Sequence, residues 1–419
     1  MKVLGLITEY NPFHNGHLYH LEESKRITGA DYTVCVMSGN FVQRGEPAII
    51  NKWARARAAL INGADLVIEL PFVFAASSAE SFAYASVMLL DSLGIVDTIC
   101  FGSESGNLES LKEIAEILVR EPEVYKSLLK KFMACGLNFP QARELALNEY
   151  LKSIAYDVTD FKEIIGNSNN ILAIEYLKAL VKLNSSITPR TLKRISNAYS
   201  DSDLSGIISS ATAIRNEIFS SANALNSMAL KQSVPPDSLS VLKDEFKNGR
   251  GPVSLESFDN IILSALRRMS YAEIKEVPNV TEGLENRIMK AAETSGTLNN
   301  LIDSVCTKRY TKTRIQRILI NVLGGVTKND HKIFLKSNGP KYIRILGFTN
   351  KGQDLLNAMK KSAKLPVIMK TSDYVKSDNP HIKRMLQIEA FSTDQYVLGY
   401  QNPEFRTSGQ EFTQKIVKI

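Results

Sequence analysis

Four short apolar runs, separated by helix-like segments, dominate the first hundred residues and constrain the fold more than any other feature. The runs are KVLGLI (2–7), YTVCVM (32–37), ADLVIELP (64–71) and VDTICFG (96–102). Helical patterns fill the intervals at 16–28, 51–63 and 77–93. Continuous apolar strands that alternate with helices indicate a parallel sheet covered on both faces, with ligands at the carboxyl ends of the strands. The sequence therefore predicts a Rossmann-like α/β domain.

The pattern of apolar runs and helical segments divides the whole chain into three units. The first unit, 1–220, contains a polar helical insertion at about 105–156. Residues 221–325 are helical in pattern and end in a basic amphipathic helix at 308–325. Residues 326–419 contain a strand–helix–strand pattern at 342–370, which predicts a small basic α/β domain, and its charge favours tRNA binding there.

Composition narrows the class of protein. Apolar residues make up 44% of the chain and charged residues 23%, which is typical of a soluble globular protein. No apolar run is long enough to cross a bilayer, and the N-terminus has the pattern of a strand rather than of a signal peptide. The four cysteines lack CxxC spacing, so we expect a reduced, cytoplasmic protein without a disulfide framework.

Positive charge is concentrated in the last part of the chain. Residues 301–419 contain 21 Lys and Arg against 9 Asp and Glu, whereas residues 1–300 contain 30 against 35. The segment KRYTKTRIQR adds an aromatic side chain to five basic ones: Lys308, Arg309, Lys312, Arg314 and Arg317. A basic stripe with an aromatic favours RNA contact, and the alternative is a solvated helix face.

Three of the chain's five histidines lie within EYNPFHNGHLYH (9–20). A metal site is disfavoured, because Pro12 and Gly16 break the run and the i, i+4 spacing of a zinc helix is absent. Packing on a helix suits His20 but not His14, which lies in a loop. A phosphate site suits the stretch best, since a helix N-terminus offers free N–H groups and His14 and His17 add side-chain donors.

Three motifs resemble those of the HIGH-type nucleotidyltransferases and class I aminoacyl-tRNA synthetases. NPFHNGH (11–17) is similar to their HxGH signature, although Asn11 stands where many members have Asp. FGSES (101–105) resembles the turn that contacts the nucleoside. ISSATAIR (208–215) resembles the helix start that binds the ATP phosphates, with Ser210, Thr212 and Arg215 in the matching places.

Further segments resemble a narrower family, the bacterial tRNA(Met) cytidine acetate ligases. They are GLITEYNPFHNGHLYH (5–20), MSGNFVQRGEPAI (37–49), NSNNILAIEYLKAL (167–180), TLKRISNAYSD (191–201) and SATAIR (210–215). The resemblance implies that acetate and ATP form acetyl-adenylate and pyrophosphate. The acetyl group then passes to N4 of the wobble cytidine of elongator tRNA(Met), giving N4-acetylcytidine.

The resemblance also implies the site residues. His14 and His17 are the implied catalytic pair. The implied ATP-binding residues are Ile7, Thr8, Glu9, Tyr10, Asn11, Pro12, Phe13, His14, Asn15, Gly16, His17, Leu18, Tyr19, His20, Gly102, Asn169 and Arg194, besides Ser210, Thr212 and Arg215. Asn167 and Asn170 flank Asn169 and are alternatives to it. Mg²⁺ is a candidate companion of ATP, but no paired carboxylates mark a metal site.

Two other functions remain open at this point. A small-molecule adenylyltransferase would use the same histidine loop but would not need a large basic C-terminal part. A non-catalytic RNA-binding protein would not need His14 or His17. The polar segment 38–48 is a candidate lid, with Arg44 and Lys52 as surface charges beside it, and Trp53 is expected to pack within a helix.

Overall fold

The computed structural model describes residues 1–154, 164–194, 208–221, 223–281, 283–336 and 339–419. The strands are β1 (Val3–Thr8), β2 (Tyr32–Ser38), β3 (Phe41–Val42), β4 (Glu46–Pro47), β5 (Leu66–Leu70), β6 (Thr98–Ser103), β7 (Thr188–Lys193), β8 (Ile343–Phe348), β9 (Val367–Ile368) and β10 (Val417–Lys418). The four strands predicted in the first hundred residues correspond to β1, β2, β5 and β6.

Helices connect these strands. Those of the first half are α1 (Asn15–Thr28), α2 (Lys52–Ile61), α3 (Phe72–Ala75), α4 (Ala79–Leu93), α5 (Leu108–Arg120), α6 (Glu123–Ala134), α7 (Phe139–Ser153), α8 (Ser168–Leu183) and α9 (Ala211–Ser220). Those of the second half are α10 (Met228–Ser233), α11 (Pro236–Lys247), α12 (Asp259–Arg268), α13 (Tyr271–Lys275), α14 (Leu284–Thr294), α15 (Leu298–Val305), α16 (Lys312–Leu323), α17 (Lys328–Lys336), α18 (Asn350–Ser362), α19 (Pro380–Val397) and α20 (Gln410–Thr413).

The main sheet has the strand order β10-β8-β5-β2-β1-β6-β7, with β9 also paired to β8. Strands β5, β2, β1, β6 and β7 are parallel to one another, and β1 runs in register with β2 from Val3 opposite Tyr32 to Thr8 opposite Met37. The chain moves outward in one direction from β1 to β5 and in the other from β6 to β7. The carboxyl ends of β1 and β6 therefore flank the topological switch point, where α/β folds bind ligands.

Both faces of the sheet are buried, as the apolar runs predict. Along β2, Val34 and Val36 pack into one hydrophobic core, and Cys35 and Met37 pack into a second core on the opposite face. Successive side chains of a strand point to opposite faces, so a run without polar residues requires cover on both sides. Trp53 is 7% exposed and packs in the second core, which confirms its expected packing role.

The C-terminal strands pair differently from what a separate small α/β domain would require. They have no sheet of their own: β8 pairs antiparallel with β5, and β9 and β10 pair with β8. The division of the chain into three units stays a prediction, but the strands of the third segment extend the sheet of the first. Sequence periodicity identifies a strand, whereas its partner depends on long-range packing.

The helical insertion lies over one end of the molecule. Helices α4 and α5 pack against α8, and α6 packs against α7. A buried ion pair joins α7 to α8, with Arg143 Nη1 and Glu175 Oε1 at 2.5 Å. Residues 155–163, which include the end of the predicted insertion, lie outside the described residues, as do 195–207.

Within the described ranges, none of the helices combines the length and the apolar character that crossing a membrane would need. All four cysteines are free thiols, and Cys35 and Cys100 are buried in strands, as their apolar surroundings predict.

Candidate active site

The histidine stretch forms the connection between β1 and α1, at the switch point. β1 ends at Thr8 and α1 begins at Asn15, with His14 as its N-cap residue. His14 Nδ1 accepts a hydrogen bond from the Gly16 amide at 3.0 Å, and the His14 carbonyl accepts from the amides of His17 and Leu18. Because Nδ1 accepts, a neutral His14 ring carries its proton on Nε2.

Gly16 is required by the closeness of the His14 ring. A Cβ atom at position 16 would lie 2.8 Å from His14 Cε1 and 3.1 Å from Nδ1. No side chain fits there unless the imidazole moves. The glycine of the HxGH pattern therefore sets where the first histidine stands.

The rings of His14 and His17 are in contact, with centroids 3.8 Å apart and planes tilted by 36°. Burial, followed by the positive charges of Arg194 and Arg215, lowers the pKa of His14 to about 3. Burial and the neighbouring His14 hold the pKa of His17 well below its usual range, and burial lowers the pKa of His20 to about 4. All three histidines are therefore neutral near pH 7 and act as hydrogen-bond donors rather than as cations.

The end of β6 brings a second set of predicted residues to the same edge. A Cβ atom at Gly102 would lie 3.2 Å from Arg194 Cγ, so the glycine leaves room for that side chain. Arg194 Nη1 contacts Asn169 Oδ1 at 3.4 Å, and Asn169 Nδ2 donates to Glu104 Oε1 at 2.6 Å. The charge of Arg194 lowers the pKa of His14, His17 and His20, so it lies close to the histidine loop.

The structure also distinguishes the three asparagines. Asn170 is fully buried, and its Oδ1 accepts from the amide of Glu104 at 2.8 Å, which ties α8 to the end of β6. Asn167 is the N-cap residue of α8. Asn169 contacts Arg194, and its predicted part in ATP binding stays a prediction.

The start of α9 supplies the third set. Ser210 is the N-cap residue of α9, and its hydroxyl accepts from the Ala213 amide at 3.0 Å. Arg215 Nη1 donates to the carbonyl of Asn11 at 2.9 Å, and its Nη2 contacts Thr212 Oγ1 at 3.4 Å. This contact joins the arginine of the ISSATAIR motif to the histidine loop, although the two lie about two hundred residues apart.

The buried nitrogens of the histidine loop without a hydrogen-bond partner among the described residues include Asn11 Nδ2 and His20 Nε2. Asn11 Oδ1 accepts a hydrogen bond from the Ile49 amide at 2.8 Å, so its Nδ2 group is available to donate to a ligand. Buried donors without partners are rare in proteins, and a bound ligand commonly accounts for them.

Two residues of this site were missed from the sequence. Arg55 is fully buried and donates to the carbonyls of Glu9, Ser38, Gly39 and Ile50, so it fixes the loops around the histidine stretch. Glu46 Oε2 lies 3.5 Å from Arg215 Nη2 and forms an ion pair with it. Neither residue has a local sequence signal, because the partners of both are distant in the chain.

The candidate lid 38–48 contains the hairpin β3–β4, and Gly45 packs so closely on α16 that an added Cβ atom would meet the Arg317 amide nitrogen. Its role as a lid stays a prediction. The expectation that Lys52 is a surface charge was wrong. Lys52 is fully buried and forms ion pairs with Glu69 at 2.6 Å, Glu389 at 3.1 Å and Glu411 at 2.5 Å.

The basic segment 308–317 has two kinds of side chain. Lys308 and Lys312 are exposed. Arg314 instead donates to the Asn279 carbonyl at 2.9 and 3.1 Å and lies over the Tyr310 ring at 5.3 Å. Arg317 Nη1 contacts the Gln43 carbonyl at 3.4 Å. Burial lowers the pKa of Arg317 to about 10. Arg314 and Arg317 of the predicted basic stripe therefore take part in packing.

Among the described residues, no group of three or more His, Cys, Asp or Glu side chains has a metal-binding arrangement. The donors that do converge at the switch point are imidazoles, amides and guanidinium groups. Such donors suit an anionic ligand.

Comparisons with known proteins agree with this geometry. The family model described as HIGH nucleotidyl transferase matches residues 1–411. The chain is 54% identical to the tRNA(Met) cytidine acetate ligase of Acetivibrio thermocellus and 44% identical to that of Halothermothrix orenii, in each case over the whole of both chains. The crystal structure of Thermotoga maritima TmcAL bound with alpha-thio ATP matches with a TM-score of 0.92 at 38% identity, again over both whole chains. The apo form matches with a TM-score of 0.94.

Proposed function

Since the chain belongs to the HIGH nucleotidyl transferase family, and within it to the tRNA(Met) cytidine acetate ligases, we propose that it uses ATP to acetylate a cytidine of tRNA(Met). The acceptor is N4 of the wobble cytidine of the elongator tRNA, and the product is N4-acetylcytidine. One observation carries the proposal: the histidine loop, Arg194 and Arg215 converge at the carboxyl edge of β1 and β6.

The first step makes acetyl-adenylate. A carboxylate oxygen of acetate attacks the α-phosphorus of ATP, and the bond from that phosphorus to the pyrophosphate oxygen breaks. Negative charge grows on the α-phosphate oxygens in the transition state. The Nε2–H group of neutral His14, with His17 and the free N–H groups at the start of α1, is suited to stabilise that charge without reorganisation.

Two arginines extend the site on either side of the histidines. Arg215 is suited to bind the leaving pyrophosphate, because a guanidinium group binds phosphate oxygens in bidentate fashion. Arg194 and Asn169, beside Gly102, are suited to the nucleoside part. Ser210 and Thr212 fix the start of α9 that carries Arg215.

The second step uses the adenylate. The N4 amine of the cytidine attacks the acetyl carbon, AMP leaves with the electrons of the carbon–oxygen bond, and N4 loses a proton. Water competes with the amine, so the reaction benefits from a site that excludes it. The β3–β4 hairpin packed on α16 supplies such cover beside the histidine loop.

The basic segment 308–317, which lies next to the β3–β4 hairpin, supports tRNA as the partner. Lys308 and Lys312 are exposed and suited to RNA phosphates, and Arg309, Arg314 and Arg317 add positive charge around them. Arg317 contacts Gln43, and the Gln43 amide donates to Glu9 at 2.8 Å, so this segment reaches the histidine loop through two contacts.

The test is to incubate the protein with ATP, labelled acetate and total tRNA, then digest the RNA and identify the acetylated nucleoside. We expect label in N4-acetylcytidine and acetate-dependent pyrophosphate exchange without tRNA. Transfer of AMP to a stable small molecule would contradict the proposal. So would unchanged activity in His14→Ala and His17→Ala variants.

A further inference from the structure

A cleft of about 360 Å³ lies between α17 and the turn that precedes α14. Its lining has three lysines and no acidic residue. It includes Asn279, Lys328, His331, Lys332, Leu335 and Lys336. We call it the α17 lysine cleft. None of its residues belongs to the site described above.

The lysines share one face of α17. Positions 328, 331, 332, 335 and 336 follow the i, i+3, i+4, i+7, i+8 spacing that puts side chains on one side of a helix. Lys332, Leu335 and Lys336 are exposed. From Lys328 to Lys336 the row extends about 12 Å along the helix axis.

The opposite face of α17 holds the helix in place. Phe334 is fully buried in the core. Asp330 accepts from Arg384 at 2.7 and 2.9 Å, which ties α17 to α19. Since the helix docks by this face, the exposed Lys332 and Lys336 are not needed to attach it, and their positive charge is directed away from the core.

The cleft is continuous with the basic segment 308–317. Asn279 lines the cleft, and its carbonyl accepts both hydrogen bonds from Arg314. One turn further along α16, Arg317 contacts the Gln43 carbonyl beside the histidine loop. A surface that starts at the cleft therefore leads towards the active site through direct contacts.

The surroundings of the cleft hold four lysines against two glutamates, because Lys275 lies beside its three lysines and the acidic neighbours are Glu276 and Glu285. Lys328 Nζ donates to the Lys275 carbonyl, and the Lys328 amide donates to the Glu276 carbonyl. Hydrogen bonds from a backbone amide and from the Tyr271 hydroxyl, the latter at 2.8 Å, lower the pKa of Glu285, and the charges of Lys275 and Lys328 add to this. Burial lowers the pKa of His331, which leaves it a neutral donor within the cleft.

We propose that the α17 lysine cleft binds the phosphate backbone of the tRNA substrate, as an extension of the segment 308–317. The inference rests on the proposed function for the identity of the RNA. A row of lysines without acidic residues complements a polyanionic strand, and it carries no base-reading geometry, so it adds affinity rather than sequence selectivity.

The test compares two triple variants that remove the same charge. K328Q/K332Q/K336Q neutralises the cleft, and K351Q/K360Q/K361Q neutralises three exposed lysines of α18 as a control. The dissociation constant for purified tRNA is measured between 50 and 200 mM salt. Each lost phosphate contact lowers the magnitude of the slope of log K against log salt by about 0.7–0.9. We therefore expect the slope of the cleft variant to be smaller by about two units than that of the wild-type protein, and its tRNA binding to be about tenfold weaker.

Further measurements separate failure of this inference from failure of the proposed function. Acetate-dependent pyrophosphate exchange without tRNA should be unchanged in both triple variants. Because Lys328 contacts the Lys275 carbonyl, the double variant K332Q/K336Q provides a form that retains this contact, and we expect it to lose about one and a half units of slope. Equal salt slopes in the cleft variants and the control would overturn the inference, even if the wild-type protein makes acetylcytidine. If exchange is absent but the cleft variants lose tRNA binding selectively, the cleft stands and the reaction does not.

Discussion

Replacing Gly16 by Ala tests whether the histidine loop works through the placement of His14. The added Cβ atom would lie 2.8 Å from His14 Cε1. An ordinary contact begins at 3.4 Å, so the imidazole must move by about 0.6 Å. Its Nδ1 then loses the hydrogen bond from the residue 16 amide, and its Nε2 no longer points where the α-phosphate is expected.

The effect on activity should exceed the effect on stability. A misplacement of about 1 Å at a reacting group costs about a hundredfold in rate, so a shift of 0.6 Å predicts a loss of about tenfold to hundredfold. Loss of an N-cap hydrogen bond costs about 1 kcal/mol, and the better helix propensity of Ala offsets about the same amount. The free energy of unfolding should therefore change by less than about 1 kcal/mol.

The assay is acetate-dependent pyrophosphate exchange, with thermal unfolding measured on the same samples. Gly296→Ala is the matched control, because a Cβ atom there meets nothing within 4 Å. We expect the control to retain full exchange and Gly16→Ala to retain a few per cent. If Gly16→Ala exchanges like the control, the position of His14 does not govern the first step and the geometric reasoning is refuted.

Three further predictions concern charge. Glu46→Gln frees Arg215 from a competing carboxylate, so KM for ATP should fall by up to about fivefold in steady-state kinetics, and a raised KM would contradict this. Arg314→Gln should lower the melting temperature because its guanidinium group holds the Asn279 carbonyl, whereas Lys312→Gln should leave melting unchanged and reduce the salt slope of tRNA binding by about 0.7–0.9. His20, with a folded pKa of about 4 against an ordinary 6.5, takes up a proton more readily in the unfolded chain. His20 alone should thus lower stability by about 1 kcal/mol per pH unit as pH drops from 6.5 to 4, and His20→Asn should reduce the slope of the denaturation profile there by about that amount, leaving the share of His14 and His17.

Much of the site was predictable because its residues lie in local motifs. The strand–loop–helix arrangement around His14 follows from an apolar run, a Pro and a Gly. The N-cap role of Ser210 follows from a Ser/Thr-rich helix start. The predicted ATP-site residues Gly102, Asn169, Arg194 and Arg215 come together in the structure, although their binding of ATP stays a prediction.

The errors lie where a side chain's environment is made by distant segments. Lys52 begins a helix beside a polar loop, which indicates a surface position. Its three carboxylate partners come from β5, α19 and α20, and no local pattern announces them. Arg317 is half-buried because the hairpin β3–β4 packs against its helix, which the sequence pattern does not show, and its predicted part in RNA binding stays a prediction.

The sequence by itself determined the parallel sheet, the histidine-containing turn after β1 and the basic character of the C-terminal part. These features arise from periodicity, turn residues and net charge, all of which are local or additive properties. The tertiary structure decided that β8 closes onto β5, that Arg215 reaches Asn11, and which lysines of the basic region face outward on α17. Those outcomes depend on which buried surfaces fit together, and close packing is a property of the whole fold rather than of any one segment.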